Sequence, residues 1–535
     1  MVRILLGMTA ALLLSGCAVK PDPLDGAALG SDAQARLEQV IAAQAPVEGP
    51  IDLYEAMARA LKYNLDARVE RFEEELRLRT LAVSTQEGLP SLVAGAGYSD
   101  RSNVQASTST YGNPPSPHPV PGNTNFSTST ERDLLTADIG LSWNILDFGL
   151  SYVRAKQAAD EILIARENRR RVTARIIEDV RTAYWRAVSA DRLLGGLRTL
   201  EGRVATALDN AAALARDGMS APLAQLVYRR ELLDIREQIQ RLEAELSVAR
   251  AQLAALMNLE PGTPFALAGS TEAARGLTLP LDTRGMVRHA LAHRPELREA
   301  AYRGRITGAE AERALLELLP GATLFTGLNF DSNAFLYNNS WVDYGARATW
   351  NLMSLFRYPA RRAEIAARSD LLDQEALALA MAITTQVHVS HARYLQAEKR
   401  LKTVAEQRGV QSQILEQIRA AASAEQVSEQ TAIREEMNTL VAEVRHDMAY
   451  ADLQNAYAGL YGVLGADPVE GGFSPDESLD GLAARLRETW NSRGDIGAMV
   501  ARGGWQAGSV RVTYGQAAPA AKVAAAGTGM PGLYE

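Results

Sequence analysis

From Asp52 onward, apolar residues fall at Leu53, Met57, Ala60, Leu61 and Leu65, the spacing of one face of a helix. Asp52 stands where an N-cap belongs. Polar residues dominate Arg68 to Arg79, and Pro90 closes the pattern, which predicts one helix over about 52–88. The period then changes. Leu92, Ala94, Ala96 and Tyr98 alternate with small or polar residues, predicting a strand over 91–100. Residues 99–132 are rich in Ser, Thr and Asn and carry Pro114, Pro115, Pro117, Pro119 and Pro121, a composition that reads as an exposed loop. Sharper alternation comes next. Ile139, Leu141, Trp143 and Ile145 share one face, and Asp138, Gly140, Ser142 and Asn144 the other. An apolar-out, polar-in run of about ten residues is what a transmembrane barrel strand requires, although a half-buried strand of a soluble sheet shares it. Leu150 to Arg216 has no proline and predicts a helix of roughly 100 Å at 1.5 Å per residue. Asp217-Gly218 marks a turn, and Pro222 sits in the first turn of another helix, predicted from Leu223 to Leu256.

The order then repeats. Ile51-Asp52-Leu53 is answered by Leu281-Asp282-Thr283, and Leu89-Pro90 by Leu319-Pro320, at a spacing of about 230. Trp143-Asn144 is answered by Trp350-Asn351, and Val180 by Val387, at about 207; Arg230-Glu231-Leu232 is answered by Glu435-Glu436-Met437 at about 205. Such a period is too long for a solenoid and marks a duplicated half. The second half predicts helix 282–318, strand 322–331, loop 332–341, strand 342–352, helix 358–421 and helix 427–464. Val342, Tyr344, Ala346, Ala348, Trp350 and Leu352 share one strand face, and Asp343, Arg347, Thr349 and Asn351 the other. A longer first loop accounts for the drop from 230 to 207.

Four strands cannot close a barrel, because small closed barrels need about eight. Open strand edges are costly in hydrocarbon, since each unpaired N–H or C=O costs several kcal/mol. If these strands span a membrane, several chains must share one barrel. Trp143, Trp341 and Trp350 lie at strand ends, where membrane-interface aromatics gather. The long helices are too charged for a buried bundle, so one stripe packs and the rest is wet; a solvated coiled-coil stalk would share that pattern.

Composition narrows the class. The 535 residues carry a net charge of −8 with no long basic run, which argues against nucleic acid as partner. Charged residues are 22% and aromatics 6%, as expected of long helices rather than a sandwich. Residues 1–16 read as a targeting segment: Arg3, an apolar run from Ile4 to Leu14 too short for a span, then Leu14-Ser15-Gly16-Cys17. That ending resembles the bacterial lipobox, which implies cleavage and lipidation (palmitate included) of Cys17, the chain's single cysteine. By the same resemblance the acyl chains anchor the protein stably, and Ala18 rather than Asp after the cysteine favours the outer membrane.

On these residues the chain resembles the TolC-like outer-membrane efflux protein family. The resemblance rests on Asn64-Leu65-Asp66-Ala67-Arg68 and Arg294-Pro295-Glu296-Leu297-Arg298, the Leu-Pro helix ends, the Trp-Asn strand ends, and Asp147-Phe148-Gly149. Gly218-Met219-Ser220-Ala221-Pro222-Leu223 looks like the family's helical-hairpin tip. It covers about residues 50–465, and the lipobox places the chain near lipoprotein members. It implies a mainly α, internally duplicated protein with a small transmembrane β part. Four strands from each subunit of a homotrimer would build one β-barrel, and the long helices an α-helical barrel in the periplasm. The implied function is a passive outer-membrane exit duct in a tripartite efflux system, with a periplasmic adaptor and an inner-membrane transporter as partners. No catalysis, cofactor or metal is implied. The outer-membrane component of type I protein secretion, and a lipid-anchored periplasmic structural stalk, are the alternatives.

The implied divisions are signal peptide 1–16, anchored segment 17–50, first repeat 51–257, equatorial linker 258–281, second repeat 282–465, and C-terminal equatorial segment with tail 466–535. Asp217, Gly218, Pro222 and Leu223 are the expected hairpin tip and adaptor contact. At the second tip the family's aspartates are missing. Glu425 and Glu429 are the candidate aperture carboxylates, or simply exposed residues that favour a helix start. Other motifs carry no chemistry. Asp147-Phe148-Gly149 lacks the rest of a kinase signature. His289 and His293 are four apart on a helix but have no third ligand, and read, like His388 and His391, as surface residues.

Overall fold

The protein is described from a computed structural model that covers residues 23–41, 44–107, 126–216, 222–260, 262–269, 283–424, 426–467, 469, 472–474, 476–493 and 496. A first helix, α1 (Gly26–Ile41), lies in the segment 17–50, whose sequence carries no strand or long-helix pattern. The first repeat comes after it: α2 (Leu53–Tyr63), α3 (Leu65–Gln86), β1 (Ser91–Asp100), β2 (Gln105–Ser107), β3 (Ser127–Thr130), β4 (Asp133–Asn144), α4 (Ile145–Arg216) and α5 (Pro222–Leu256). The second is α6 (Thr283–His293), α7 (Pro295–Leu316), β5 (Gly321–Asp331), β6 (Ser340–Thr349), α8 (Met353–Ser423) and α9 (Glu429–Val463), with α10 (Leu479–Ser492) beyond it.

The helix expected over 52–88 is two helices. Asn64 is extended (φ −60°, ψ 132°), and its side chain caps α3 by accepting from the Asp66 and Ala67 amides. The helix expected over 282–318 breaks likewise at Arg294 (ψ 130°), which Pro295 holds out of the helical region from the first position of α7. Part of the 99–132 loop is also ordered, as a short antiparallel ladder of β2 with β3. The two long helices start earlier than expected. α8 runs through Pro359, placed in its first two turns.

Both return helices end the same way. Asn258 after α5 (φ 60°) and Gly465 after α9 (φ 75°) are left-handed, and the next amide reaches back across the turn, Leu259 N to Ala254 O at 2.8 Å and Ala466 N to Tyr461 O at 3.1 Å. Each end meets the break at the start of its own repeat. Asn64 Nδ2 donates to Leu256 O at 3.4 Å, and Gly465 lies against the His293–Arg294 peptide.

The core lies along α4. Toward the hairpin end, Leu193, Leu197, Leu200 and Val204 pack on Leu232, Ile239 and Met437 from α5 and α9. At mid-length, Ile176, Val180 and Tyr184 pack with Met57, Leu61, Leu253, Leu486 and Trp490. The matching region of the second repeat is Ile383 and Val387 against Met286, Leu460 and Tyr461. A parallel bridge, Ile51 to Leu267, and the docking of α10 on α2 close the mid-level region. Among the described residues no helix is long and apolar enough to cross a membrane.

Candidate pore sheet and helical tip

The four main strands form one antiparallel sheet in the order β1-β4-β5-β6. They are 10 to 12 residues long, enough to cross a bilayer when tilted. Register puts Leu92 opposite Leu141, Ile139 opposite Leu328, and Leu328 opposite Val342. Most apolar residues of the four strands therefore share one face, while Val93, Phe325 and Trp341 fall on the other. The apolar face is bare: Leu92, Tyr98, Leu328, Val342 and Tyr344 are exposed, and among the described residues the outer edges of β1 and β6 carry no partner strand. A bare apolar sheet with two open edges needs a cover and further strands.

The opposite face is polar. Asp138 lies opposite Gly95, and Asp343 opposite Gly327. A Cβ at either glycine would meet the aspartate Oδ1 at 2.7 Å or 2.6 Å, so each carboxylate lies back over a glycine. Asn329, in register with Asp138, donates to Asp343 Oδ1 at 2.9 Å. Alternation in the sequence puts both aspartates on the polar face without marking them as a site. The signal is the small residue across the hairpin from each acid, legible only once register is known.

Trp143 and Trp350 sit at the helical end of the sheet. Their Nε1 atoms donate to the carbonyls of Gly88 (3.1 Å) and Leu318 (2.9 Å), each just before a Leu-Pro pair. Each indole thus ties a strand end to the helix that enters the sheet. Trp341 is at the far end of β6, in register with Asn329 and so on the polar face. There the loops meet: buried Asn333 accepts from the Glu131 amide at 3.2 Å and donates to Ser129 O at 3.0 Å.

At the opposite extreme of the molecule, α5 opens with Pro222 and Leu223, and Leu223 and Leu226 are strongly exposed. Asp217, Gly218 and Glu425 lie outside the described residues, as does Cys17. Glu429 is exposed in the first turn of α9, whose N-cap Ser428 accepts from the Thr431 amide at 3.3 Å. Burial raises the Tyr228 hydroxyl, and the charges of Glu429 and Glu231 add to it, so the two helix starts are close. Ion pairs tie the repeats together there. Glu231 on α5 takes Arg434 and Gln430 of α9, while Glu436 on α9 takes Arg203 of α4 and, at 3.4 Å, Arg419 of α8. Glu231 and Glu436 are the matched acids of the two repeats.

His289 and His293, expected as surface residues, are stacked at 4.0 Å and partly buried; burial and the neighbouring ring lower His289 to about 4. Among the described residues no group of three or more potential ligands could hold a metal.

Residues 56–259 match the family model described as outer membrane efflux protein. Three solved structures extend the likeness over most of the chain. The CmeC outer membrane channel of Campylobacter jejuni is 12% identical with a TM-score of 0.61, covering 84% of this chain and 90% of that one. The outer-membrane channel OprN is 18% identical, TM-score 0.58, over 77% and 90%. The open-state MtrE outer membrane channel of Neisseria gonorrhoeae is 17% identical, TM-score 0.57, over 78% and 89%. The chain has the TolC-like fold of the outer-membrane efflux proteins. No curated protein sequence matches it. In the TolC-like frame the bare sheet is the β part and the 72-residue and 71-residue helices α4 and α8 are the walls of the helical part.

Proposed function

We propose that the protein is a trimeric outer-membrane channel, a passive exit duct that completes a tripartite efflux system with a periplasmic adaptor and an inner-membrane transporter. The observation that carries this is the unfinished sheet on roughly 100 Å helices. The junction between repeats, β4 with β5, has its equivalent in β6 with β1 of the next subunit, so three chains give a closed ring of twelve strands. The helices repeat the logic. α4 is flanked by α3 and α7, whereas α8 packs on α7 alone among these three and leaves Leu371, Leu377, Met381 and Val410 exposed. α3 leaves Val69, Phe72, Leu76 and Val83 exposed. The next subunit's α3 fits the open side of α8, a heterologous contact that closes by rotation.

In this assembly Asp138 and Asp343 face the lumen. Cys17 carries the lipid anchor in the outer membrane. Asp217, Gly218, Pro222 and Leu223 meet the adaptor, and Glu425 and Glu429 ring the aperture. Residues 51–257 and 282–465 are the duplicated repeats, with 258–281 and the segment after 465 at the equator. No catalysis is involved; substrate choice belongs to the pump. Purified protein in planar bilayers tests this. Discrete, long-lived conductance steps are expected, and a protein that stays membrane-associated only through its lipid, releasing from membranes at alkaline pH as Cys17→Ala, would instead be a stalk.

A further inference from the structure

On the polar face of the sheet, large side chains stand across from glycines. Phe325 of β5 is in register with Gly345 of β6, as Asp343 is with Gly327 and Asp138 with Gly95. A Cβ at Gly345 would meet Phe325 Cζ at 2.6 Å and Cε1 at 3.0 Å, so the far end of the ring lies over the glycine. A strand side chain ordinarily stands roughly perpendicular to its sheet. This ring instead lies across the strands, as the two carboxylates do. None of the three glycines has a left-handed φ, so the backbone does not call for glycine there. What each supplies is the missing Cβ, a slot into which the facing side chain folds.

Phe325 has no second slot. Ser142, in register with it on β4, and Thr323, two residues back on its own strand, carry side chains, and Gly327 is already covered by Asp343. Arg347, on the same face of β6, holds its guanidinium 5.8 Å from the ring centroid. In the shared barrel this face lines the lumen. Twelve strands about 4.8 Å apart and tilted by about 40° give a backbone radius of about 12 Å. A phenyl ring standing off the wall would reach about half of that. Three would do so at one level, because rotation relates the subunits. Laid flat, they leave the bore open.

We propose that Gly345, together with Gly327 and Gly95, determines the largest cargo the β part passes, by letting Phe325 and the two aspartates fold back against the wall. This rests on the channel reading and sharpens it: Phe325 is a constriction held out of the way, and Gly345 is what holds it there. The glycines of this face are not alike. Gly140 lies on it too, opposite Val93 and Gly327, and a Cβ there would meet nothing within 4 Å. The same methyl at Gly140 therefore displaces no side chain.

The test is single-channel conductance of the full-length protein in planar bilayers, with polyethylene glycols of graded size probing the bore. Gly345→Ala should lower unit conductance by about a third or more and shrink the largest glycol that enters, since three rings must leave the wall. Gly140→Ala should conduct like the unaltered protein. Adding Phe325→Ala to Gly345→Ala should restore the bore, because no ring remains to be displaced; a double variant still narrowed would mean a disturbed sheet and overturn the proposal. Phe325→Ala alone decides the matter should Gly345→Ala not assemble. It should widen the pore only slightly, and a gain of about a third or more would show a ring already standing in the lumen. Gly345→Ala channels that match Gly140→Ala would likewise overturn the assignment. Silence of the unaltered protein would instead reject the channel reading, and the bore with it.

Discussion

Gly465→Ala should be among the most damaging single-methyl changes in the chain. Gly465 ends α9 at φ 75°, where an L side chain costs about 1–2 kcal/mol. The added Cβ would also lie 2.7 Å from His293 C, 2.8 Å from Arg294 N and 2.8 Å from His293 O. These are backbone atoms of the α6–α7 break and cannot swing aside as a side-chain tip would. Overpacking of that kind typically costs about 1–3 kcal/mol more. The sum, about 2–5 kcal/mol, would lower the denaturant midpoint followed by far-ultraviolet circular dichroism or by protease resistance. The first repeat supplies the control. Asn258 already holds a left-handed conformation (φ 60°) with a side chain, and its Nδ2 donates to Val40 O at 3.0 Å. Asn258→Gly relieves the backbone while losing that bond, so it should shift stability by about 1 kcal/mol or less. A Gly465→Ala protein as stable as Asn258→Gly would refute the claim that this helix end is pressed against the break.

Asp138→Asn together with Asp343→Asn should reduce cation preference, read as a smaller reversal potential across a salt gradient; an unchanged potential would remove these carboxylates from the lumen. Glu429→Gln should lower single-channel conductance at low salt if this residue rings the aperture, and unchanged conductance and selectivity would make it only an exposed helix-start residue. Trp350→Phe loses the bond to Leu318 O and should cost about 0.5–1.5 kcal/mol at the strand–helix junction, with a smaller value counting against the tie. Burial holds His289 near 4, below its usual value, so its neutral form favours the fold. The unfolded chain binds the proton more readily, and stability should fall as pH drops from about 6.5 toward 4. His289→Gln should flatten that slope, discounted because the ring is only half-buried, and an unaltered slope would place the titration elsewhere.

Much of the architecture is legible in the sequence because it is carried by period. The alternation through Ile139, Leu141 and Trp143 sets β4, and the proline-free runs set the long helices. The breaks at Asn64 and Arg294 are less legible, since helical spacing continues through them. The first is interrupted by a side chain that prefers capping the next turn to continuing the last one. The second is signalled by Pro295, which reads as an N-terminal helix residue rather than an interior one. β2 and β3 are held by backbone pairing between polar residues, which leaves no hydrophobic pattern. The tip ion pairs and the mid-level hydrogen bond from Arg181 to Gln454 join residues some 200–300 positions apart, so only the folded chain brings them together.

The central claim is that β6 of one subunit completes the sheet with β1 of the next. At the β4–β5 junction Leu141 faces Thr326, and their counterparts at the repeat spacings are Ala348 and Ala96. Directly opposed residues place their Cβ atoms about 4.5–5.5 Å apart. Ala96→Cys with Ala348→Cys in one chain, oxidised in native membranes, should yield a covalently closed trimer on denaturing gels, with neither single variant doing so. A doubly substituted protein that stays membrane-integral and conducts, yet forms no bond between subunits, would contradict the shared barrel as drawn from this repeat.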